Sequence, residues 1–387
     1  MQEIDVSDFL TTFGIMKPII IPIVLSAVVL SSCGTKTQTF CILDYGACGD
    51  GVSDCTQAVN AAIDICSEAG GGTVLVPEGR FLCSTLHLRD NVNLHLDKGA
   101  VIVACPNPER YDSFIPRTDL TRFDSGEGTL NSNCSGDRFW NRTLILGEEV
   151  HNVSITGEGT IDGGHVFDPD GEERMRGPHC ILFALSSGIL LEGISVTRAS
   201  NYAFMNYAVE DVRFKGVRIT EGWDGIHIRG GRNIEIDGCV METGDDCIAG
   251  GYWENALIRD CDLNSSCNGI RIIMPSEHVT VSGCRITGPG RYPHRTSGRF
   301  NTLFGIEIEP GGWGPASGTT ADITIEDIRM DGVSSPIGVS IRPGNEAVDL
   351  KVRNLDATGV YGTFSPVVCW NDEGFSSMEL ENCRLSR

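Results

Sequence analysis

The sequence predicts an all-β fold: a right-handed parallel β-helix, built as a solenoid of rungs of about 22 residues with a capping helix at its N-terminal end. Two observations predict it. Similar blocks start at residues 211, 233, 255 and 278, which are 22, 22 and 23 residues apart. Each block alternates apolar and polar residues with a period of two, the pattern of a β-strand, and turn residues separate the blocks.

The repeat places four cysteines at one position of the rung. In four blocks, a cysteine follows six residues after the first residue. Because stacked rungs lie about 4.8 Å apart, we expect an inward ladder of buried thiols formed by Cys239, Cys261, Cys284 and Cys383. A disulfide between neighbouring rungs is the alternative, and zinc is disfavoured because paired Cys-x-x-Cys units are lacking in these blocks.

Residues 55–69 follow a different pattern. A run of three glycines begins at Gly70 and ends this segment, in which apolar residues recur at helical spacing: Ala58, Val59, Ala62, Ile63 and Cys66. A solenoid needs a cap over its first rung, so this segment is predicted to be the capping helix.

Composition limits the class of partner. The hydrophobic fraction of 41% is sufficient for a large core in the 387 residues. The formal net charge is −22, so the average surface repels DNA, RNA and other polyanions. We therefore expect no nucleic-acid partner.

Residues 1–33 are predicted to contain an export signal. Lys17 is followed by an apolar run of 12 residues, too short to span a bilayer, and then by Leu30-Ser-Ser-Cys33. This motif resembles the bacterial lipoprotein box, which makes Cys33 the expected lipidation site; a plain secretory signal is the alternative. The residues before Met16 are interpreted as an upstream mis-start or an extension.

The predicted organisation follows from this signal. Residues 34–39 form a tether, and residues 40–387 form a single β-helix domain. We expect an exported bacterial lipoprotein of the outer membrane, periplasm or cell surface, attached to the membrane only through its N-terminal lipid.

Three aspartates fall on two neighbouring rungs. Asp224 precedes one strand, and Asp245 and Asp246 precede the next, 21 and 22 residues later. A lone aspartate in a turn often only accepts a bond from a nearby amide, but three converging carboxylates repel each other and raise at least one pKa. Such a group suits acid/base catalysis. Glycoside hydrolysis needs an acid for the leaving oxygen and a base for water.

These rungs resemble glycoside hydrolase family 28, the polygalacturonase-like enzymes of the pectin-lyase-like β-helix superfamily. Asp224-Gly-Ile-His-Ile is similar to the family motif Asn-Thr-Asp-Gly-Ile-Asp-Ile, and Gly244-Asp-Asp-Cys-Ile-Ala to Gly-Asp-Asp-Cys-Ile-Ala. Segments at 43–54, 70–77, 91–100 and 153–163 extend the resemblance over roughly residues 40–360. The resemblance implies an inverting hydrolase with three catalytic aspartates, of which Asp245 or Asp246 is the acid and Asp224 a base.

The chain departs from the family on two rungs. Where the family has Gly-His-Gly, this chain has Cys267-Asn268-Gly269, so the motif histidine is missing. His227, on the Asp224 rung, is a candidate replacement, and a solvated surface histidine is the alternative. The family motif Arg-Ile-Lys is matched only by Arg271, one rung early, and the expected rung reads Gly305-Ile-Glu-Ile-Glu309.

Strand alternation points the charged side chains of these rungs toward a cleft. The predicted substrate-binding residues are His227, Arg229, Asn268, Arg271, Glu307, Glu309, Arg342 and, as a stacking platform, Trp313. Packing of this tryptophan under its loop is the alternative. Arginine attracts a uronate carboxylate and glutamate repels one, so the substrate is a neutral or differently decorated glycan, or an acidic unit held by arginine. Inserts near residues 110–142 and 288–302 are predicted to wall the cleft.

The sequence thus predicts a monomeric glycoside hydrolase that cleaves a pectin-type or related polysaccharide without cofactor or metal. Two alternatives stay open. A β-helix lyase or epimerase would hold Ca²⁺ on Asp245 and Asp246 and use Arg271 as the base. A catalytically inactive glycan-binding surface protein would account for the missing histidine and lysine.

Overall fold

The computed structural model describes residues 38–124, 133–312, 314, 316–370, 374 and 378–387. The predicted export signal, the lipidation site Cys33, most of the tether and the predicted stacking residue Trp313 lie outside the described residues. No helix within the described ranges is long and apolar enough to cross a membrane.

The described chain forms a right-handed parallel β-helix, as predicted. Strands pair in parallel with the strands of the preceding and following rungs, and three sheets run along the solenoid. Five long strands bend at a corner and belong to two sheets each. Phe204–Lys215, Ile226–Asp237 and Ile248–Arg259 join the first and second sheets, and Gly318–Asp331 and Asn345–Thr358 join the second and third.

Shorter strands complete the sheets. The first sheet also contains Leu86–His87, Thr143–Glu148, His179–Ala184, Asn268–Ile272, Thr302–Ile308, Val333–Ser340 and Val367–Trp370. The second also contains Thr39–Cys41, Gly72–Val76, Val92–Leu96, His151–Gly157, Ser187–Glu192, Glu277–Ser282 and Met378–Glu381. The third also contains Asp50–Asp54, Gly79–Cys83, Ala100–Ala104, Thr160–Asp162, Ser195–Thr197, Arg218–Thr220, Val240–Thr243, Asp262–Ser265, Arg285–Thr287 and Arg384–Leu385.

The core consists of ladders of apolar side chains from successive rungs. One ladder of fully buried isoleucines runs in register along the first sheet: Ile226, Ile248, Ile270, Ile306 and Ile337. Burial of each such side chain contributes about 1.5–3 kcal/mol to folding, so the ladder fixes the register of the rungs.

The cysteine ladder is present at the position that the repeat predicts. Cys239, Cys261 and Cys284 are fully buried free thiols in the core. Cys383 is only partly buried, because it lies on the last rung, where no further described rung covers it. The prediction of buried thiols is therefore confirmed for three of the four cysteines.

The predicted capping helix spans Thr56–Glu68. It buries its apolar face against the first rungs, and Asn60 fixes its position by bonding the carbonyl of Thr85 at 3.0 Å and the amide of His87 at 2.8 Å. Four short 3₁₀ helices lie at Ile42–Tyr45, Pro108–Arg110, Thr121–Phe123 and Glu172–Arg174.

The corner between the third and first sheets differs from the other two corners. Three long excursions leave the rungs there, at residues 105–142, 163–178 and 288–301. The same corner carries the short turns 221–225, 244–247 and 266–267. The fold thus surrounds three stacked turns with three loops.

Candidate active site

The three short turns stack two aspartates and an asparagine on one another. Asp224 and Asp246 are 22 residues apart, and Asn268 follows after another 22. The Asp224 Oδ1 accepts the backbone N–H of Asp246 at 3.2 Å. The Asp246 Oδ1 in turn accepts the backbone N–H and the Nδ2 of Asn268, at 3.0 and 2.8 Å. All three side chains are buried. Asn268, predicted to bind substrate, therefore holds a carboxylate in place.

Asp245 occupies the other side of the same turn. Its backbone carbonyl accepts the hydroxyls of Thr243 and Ser265, both at 2.7 Å, which fixes the turn. Its carboxylate Oδ2 lies 3.9 Å from a guanidinium nitrogen of Arg176 and 3.7 Å from Nε2 of His294. The structure thus brings the three predicted aspartates to one pocket. Asp245 is the most exposed of the three.

Burial dominates the electrostatics of this group. Burial, and after it the charges of Asp245 and Asp246, raises the pKa of the Asp224 carboxyl well above its usual range. Burial, followed by the charge of Asp245, raises the pKa of Asp246 to about 7. The trio therefore retains a proton near neutral pH, since three carboxylates this close do not all ionise together.

A chain of hydrogen bonds ends at Asp224. Arg229 Nε donates to His227 Nε2 at 3.0 Å, which makes Nε2 the acceptor and leaves the ring proton on Nδ1. His227 Nδ1 then donates to Asp224 Oδ2 at 2.6 Å. Burial lowers the pKa of His227 well below its usual value, so the ring is neutral. Both oxygens of Asp224 therefore accept hydrogen bonds, which favours the ionised form of this carboxyl group and opposes the effect of its burial.

Arg229 has a different position from the one expected. It was predicted to project into the cleft and bind substrate, but its side chain is fully buried. Its guanidinium donates to the carbonyls of Phe123 and Asn133 at 3.1 and 2.8 Å, and to Asn133 Oδ1 at 2.9 Å. Strand alternation does point it outward, but the excursion at residues 105–142 covers that face. Arg229 therefore orients His227 and makes no contact with the pocket.

The predicted cluster of arginine and glutamate is internally neutralised. Arg271 lies 3.0 Å from Glu307 and 2.6 Å from Glu309, and its Nη1 lies 3.9 Å from Asp246 Oδ2. Arg342 lies 2.6 Å from the other oxygen of Glu309. Burial raises the pKa of Glu307. The glutamates thus face arginines, and only Arg271 of these four lines the pocket of the carboxylates.

Glu309 and Arg342 lie away from the carboxylate pocket. Glu309 is buried behind Arg271. Arg342 borders a separate depression of about 820 Å³ lined by residues 341–346 and by the start of the strand Gly318–Asp331. The structure thus places Glu309 as a partner of Arg271 and Arg342, and Arg342 outside the carboxylate pocket, while their predicted binding of substrate stays a prediction.

The carboxylate pocket has a volume of about 140 Å³. Besides the predicted residues, it is lined by Tyr202, which lies one rung before Asp224, and by four side chains from the excursions: Glu173, Arg176, His294 and Arg299. Tyr202 stacks on the His227 ring at 4.8 Å. The prediction named the insert at 288–302 as a wall, but its side chains could not be assigned because an insert has no rung register.

Two of the excursions are bonded to each other beside the pocket. The hydroxyl of Thr296 donates to Glu173 Oε2 at 2.6 Å, and Arg295 lies 3.0 Å from Glu221. Arg299 Nε donates to the carbonyl of Ser266 at 3.3 Å. The loop at 288–301 is thereby tied both to the opposite wall and to the rungs.

The donor set limits metal binding at this site. One oxygen each of Asp245 and Asp246 and the sulfur of Cys267 lie within 4.8 Å of one another. Ca²⁺ takes six to eight oxygen ligands, and burial raises the pKa of the Cys267 thiol well above its usual value. Two carboxylates beside a protonated thiol fit Ca²⁺ poorly.

Comparisons with known proteins identify the family of this chain. The family model described as rhamnogalacturonase A/epimerase, pectate lyase-like, matches residues 40–291. An exopolygalacturonase of Arabidopsis thaliana is 26% identical over 81% of this chain and 69% of its own length. A probable polygalacturonase of Vitis vinifera is 25% identical over 83% of this chain and 60% of its own length.

A solved structure shares the fold. The exopolygalacturonase of Thermotoga maritima superimposes with a TM-score of 0.61 at 19% identity, covering 90% of this chain and 92% of that one. The predicted resemblance to the polygalacturonase-like enzymes is confirmed, and the low identity fits a divergent member.

Proposed function

Because the chain belongs to the rhamnogalacturonase A/epimerase, pectate lyase-like family and is a divergent relative of the polygalacturonases, we propose that it hydrolyses O-glycosidic bonds in a pectin-type polysaccharide. The observation that carries the proposal is the convergence of Asp224, Asp245 and Asp246 on one pocket, where burial holds a shared proton near neutral pH. Hydrolysis needs such a mixture of an ionised and a protonated carboxyl group.

The proposed roles follow from the hydrogen bonds. Asp224, which accepts bonds at both oxygens, acts as the ionised base that removes a proton from water. The pair of Asp245 and Asp246 delivers its proton to the leaving glycosidic oxygen. The bond from the anomeric carbon to that oxygen breaks as the water oxygen bonds to the carbon, with inversion. His227, Arg229 and Asn268 hold these carboxylates rather than the sugar.

We further propose that the enzyme acts on chain ends. The pocket of about 140 Å³ lies below the range of roughly 300–1,000 Å³ that is typical of sites for larger ligands. Its two walls are joined by the bond between Thr296 and Glu173. A pocket of this size suits one terminal sugar unit better than the middle of a polymer.

The deciding experiment is a product analysis of the purified protein on polygalacturonan, rhamnogalacturonan and neutral plant glycans. We expect new reducing ends, release of small sugars from the start of the reaction, and an inverted anomer in the first NMR spectra. Asp224→Asn and Asp245→Asn serve as inactive controls. An early fall in viscosity with long products would contradict end-wise action, and a retained anomer would contradict the assigned roles.

A lyase or epimerase is the second candidate, because the matching family description includes epimerases. Its base would be Arg271, which is already engaged by Glu307 and Glu309. The poor Ca²⁺ donor set also weighs against it. An unsaturated, ultraviolet-absorbing product, or loss of activity in a chelator, would favour this candidate over hydrolysis. Binding of a glycan without any cleavage would favour an inactive binding protein.

We also propose that the protein is a lipid-anchored exported protein, on the strength of the Leu30-Ser-Ser-Cys33 motif. Cys33→Ser is expected to move the protein from the membrane fraction to the soluble fraction of bacterial cells. An unchanged membrane fraction would contradict the lipid anchor.

A further inference from the structure

The loop at residues 288–301 makes an unusually close contact with the turn that carries two of the carboxylates. A Cβ added at Gly244 would lie 2.6 Å from the carbonyl oxygen of Pro293, a distance that no side chain tolerates. Only glycine therefore lets the loop settle here. The close contact brings together the next residue of each segment: Asp245 follows Gly244, and His294 follows Pro293.

The ring of His294 has a defined orientation. The backbone N–H of Ser297 lies 3.3 Å from His294 Nδ1 and donates to it, so Nδ1 is an acceptor and the ring proton resides on Nε2. Nε2 faces Asp245 Oδ2 at 3.7 Å, and the His294 side chain is only 13% exposed. The backbone N–H of His294 is itself held by the carbonyl of Arg299 at 2.8 Å.

Four charged groups surround this ring. Asp245 and Glu173 favour its charged form, whereas Arg299 and Arg176 disfavour it, and burial is the largest influence and lowers the pKa of His294. A neutral imidazole with its proton on Nε2 is a hydrogen-bond donor to Asp245 and cannot accept a proton on that nitrogen.

We propose that His294 is a positioning residue that donates its Nε2–H to Asp245, and so holds this carboxylate in its place beside Asp246. The inference rests on the proposed hydrolytic function. The separation of 3.7 Å is longer than a hydrogen bond, but catalytic contacts shorten when substrate fills a site. A donor at Asp245 stabilises the ionised form of that carboxyl group.

The parallel with the other side of the trio supports this role. His227 donates to Asp224 from within the rung, and His294 approaches Asp245 from an insert. Asp224 thus accepts a bond from one neutral imidazole, Asp245 faces a second imidazole, and Asp246 accepts the backbone and side-chain N–H groups of Asn268.

The test compares His294→Ala with His294→Gln, because glutamine can still present an N–H. We expect kcat of the alanine variant to fall about 10- to 100-fold with little change in KM, as for loss of a hydrogen bond to a charged group. The glutamine variant is expected to recover most of the rate.

The chain offers a matched control. His278 pairs with Asp322 at 2.8 Å on the exposed surface, so His278→Ala removes a histidine from a second His–Asp pair. We expect its kcat and pH profile to equal those of the wild type. An alanine variant at 294 with wild-type kinetics would overturn the proposal, as would a glutamine variant that is as impaired as alanine.

A spectroscopic measurement separates failure of this inference from failure of the proposed function. Nitrogen NMR of the imidazoles is expected to show His294 with its proton on Nε2, and Asp245→Asn is expected to lower its pKa further because a negative neighbour is lost. This holds even for a protein that cleaves no glycan. A proton on Nδ1, or a His294 pKa insensitive to Asp245→Asn, would overturn the inference.

Discussion

Two corners of the same rungs carry stacked asparagine and aspartate side chains, with opposite outcomes. At the bend of the long strands between the first and second sheets, Asn233 Nδ2 bonds Asp211 Oδ1 at 2.8 Å, and Asn255 Nδ2 bonds Asn233 Oδ1 at 3.3 Å. These residues are exposed and adopt positive φ angles of 53–59°. At the corner between the third and first sheets, Asp224 and Asp246 form an equivalent stack that is buried.

The comparison shows that the 22-residue repeat alone does not create an active site. The repeat aligns polar side chains at both corners. At the corner between the third and first sheets, excursions cover the turns and exclude water. Burial there raises the pKa values of the Asp224 and Asp246 carboxyl groups. The corner between the first and second sheets keeps its amides and the Asp211 carboxylate in solvent, and its stack serves to close the bend.

The largest expected difference between the corners is catalytic. Asp246→Asn keeps the acceptor for Asn268 but removes the exchangeable proton, so the hydrolysis rate is expected to fall about 10²–10⁴-fold. Asn255→Asp, which places a carboxylate in the exposed stack, is the matched control and is expected to leave the rate unchanged. Steady-state rates and circular dichroism of both variants check this. A folded Asp246→Asn variant with the wild-type rate would contradict the assignment of Asp246 as a catalytic residue.

The second difference concerns stability. The pKa of Asp246 is raised from 3.8 to about 7, so the folded protein keeps a proton that the unfolded chain releases. The stability contributed by that proton is present below about pH 4 and is lost as the pH rises to about 7.

Asp246→Asn, which does not ionise, is therefore expected to be more stable than the wild type above pH 7, by on the order of 4 kcal/mol. The advantage should vanish below about pH 4. Urea unfolding at both pH values measures it. An equal difference at both would show that the carboxyl group is not titrating in this window.

A smaller effect is expected in the pH–rate profile. Above about pH 7 the acidic pair loses its proton, and the rate should fall tenfold per pH unit. Arg271 favours the ionised form of Asp246, so Arg271→Met should move this limb to higher pH. If this limb of the pH–rate profile does not move, Arg271 does not influence the ionisation of Asp246.

The smallest expected effect lies at the exposed corner. Asn233 has a φ angle of 56° and holds its neighbour in the stack. Asn233→Ala is expected to cost about 1 kcal/mol of unfolding free energy, and Asn233→Gly less, because glycine adopts this angle without strain. Thermal unfolding checks the order. Loss of hydrolysis in either variant would contradict the division between the two corners.

Much of this arrangement follows from periodicity. The spacing of 22 residues predicts the buried cysteines, the stacking of Asp224 on Asp246, and the face that carries Arg271 and Glu307, because every one of these residues has a rung register. The helix at Thr56–Glu68 follows from its own helical spacing and its terminating glycines.

The residues outside the repeat explain what the sequence could not predict. Arg229 has the expected direction, but Phe123 and Asn133 of an insert between two rungs cover it, and no periodic pattern fixes where such residues lie. His294 reaches Asp245 across 49 positions of the chain, from a loop that has no equivalent on neighbouring rungs. Both depend on tertiary packing of irregular segments.

The bond from Thr296 to Glu173 joins two loops beside the carboxylates, and under the proposed end-wise action it has a consequence for how a polymer would be consumed. A chain end that enters between the joined loops would leave by the way it came. Shortening would then proceed by separate visits, each ending in full withdrawal. The abundance of free ends, rather than the length of the polymer, would govern throughput.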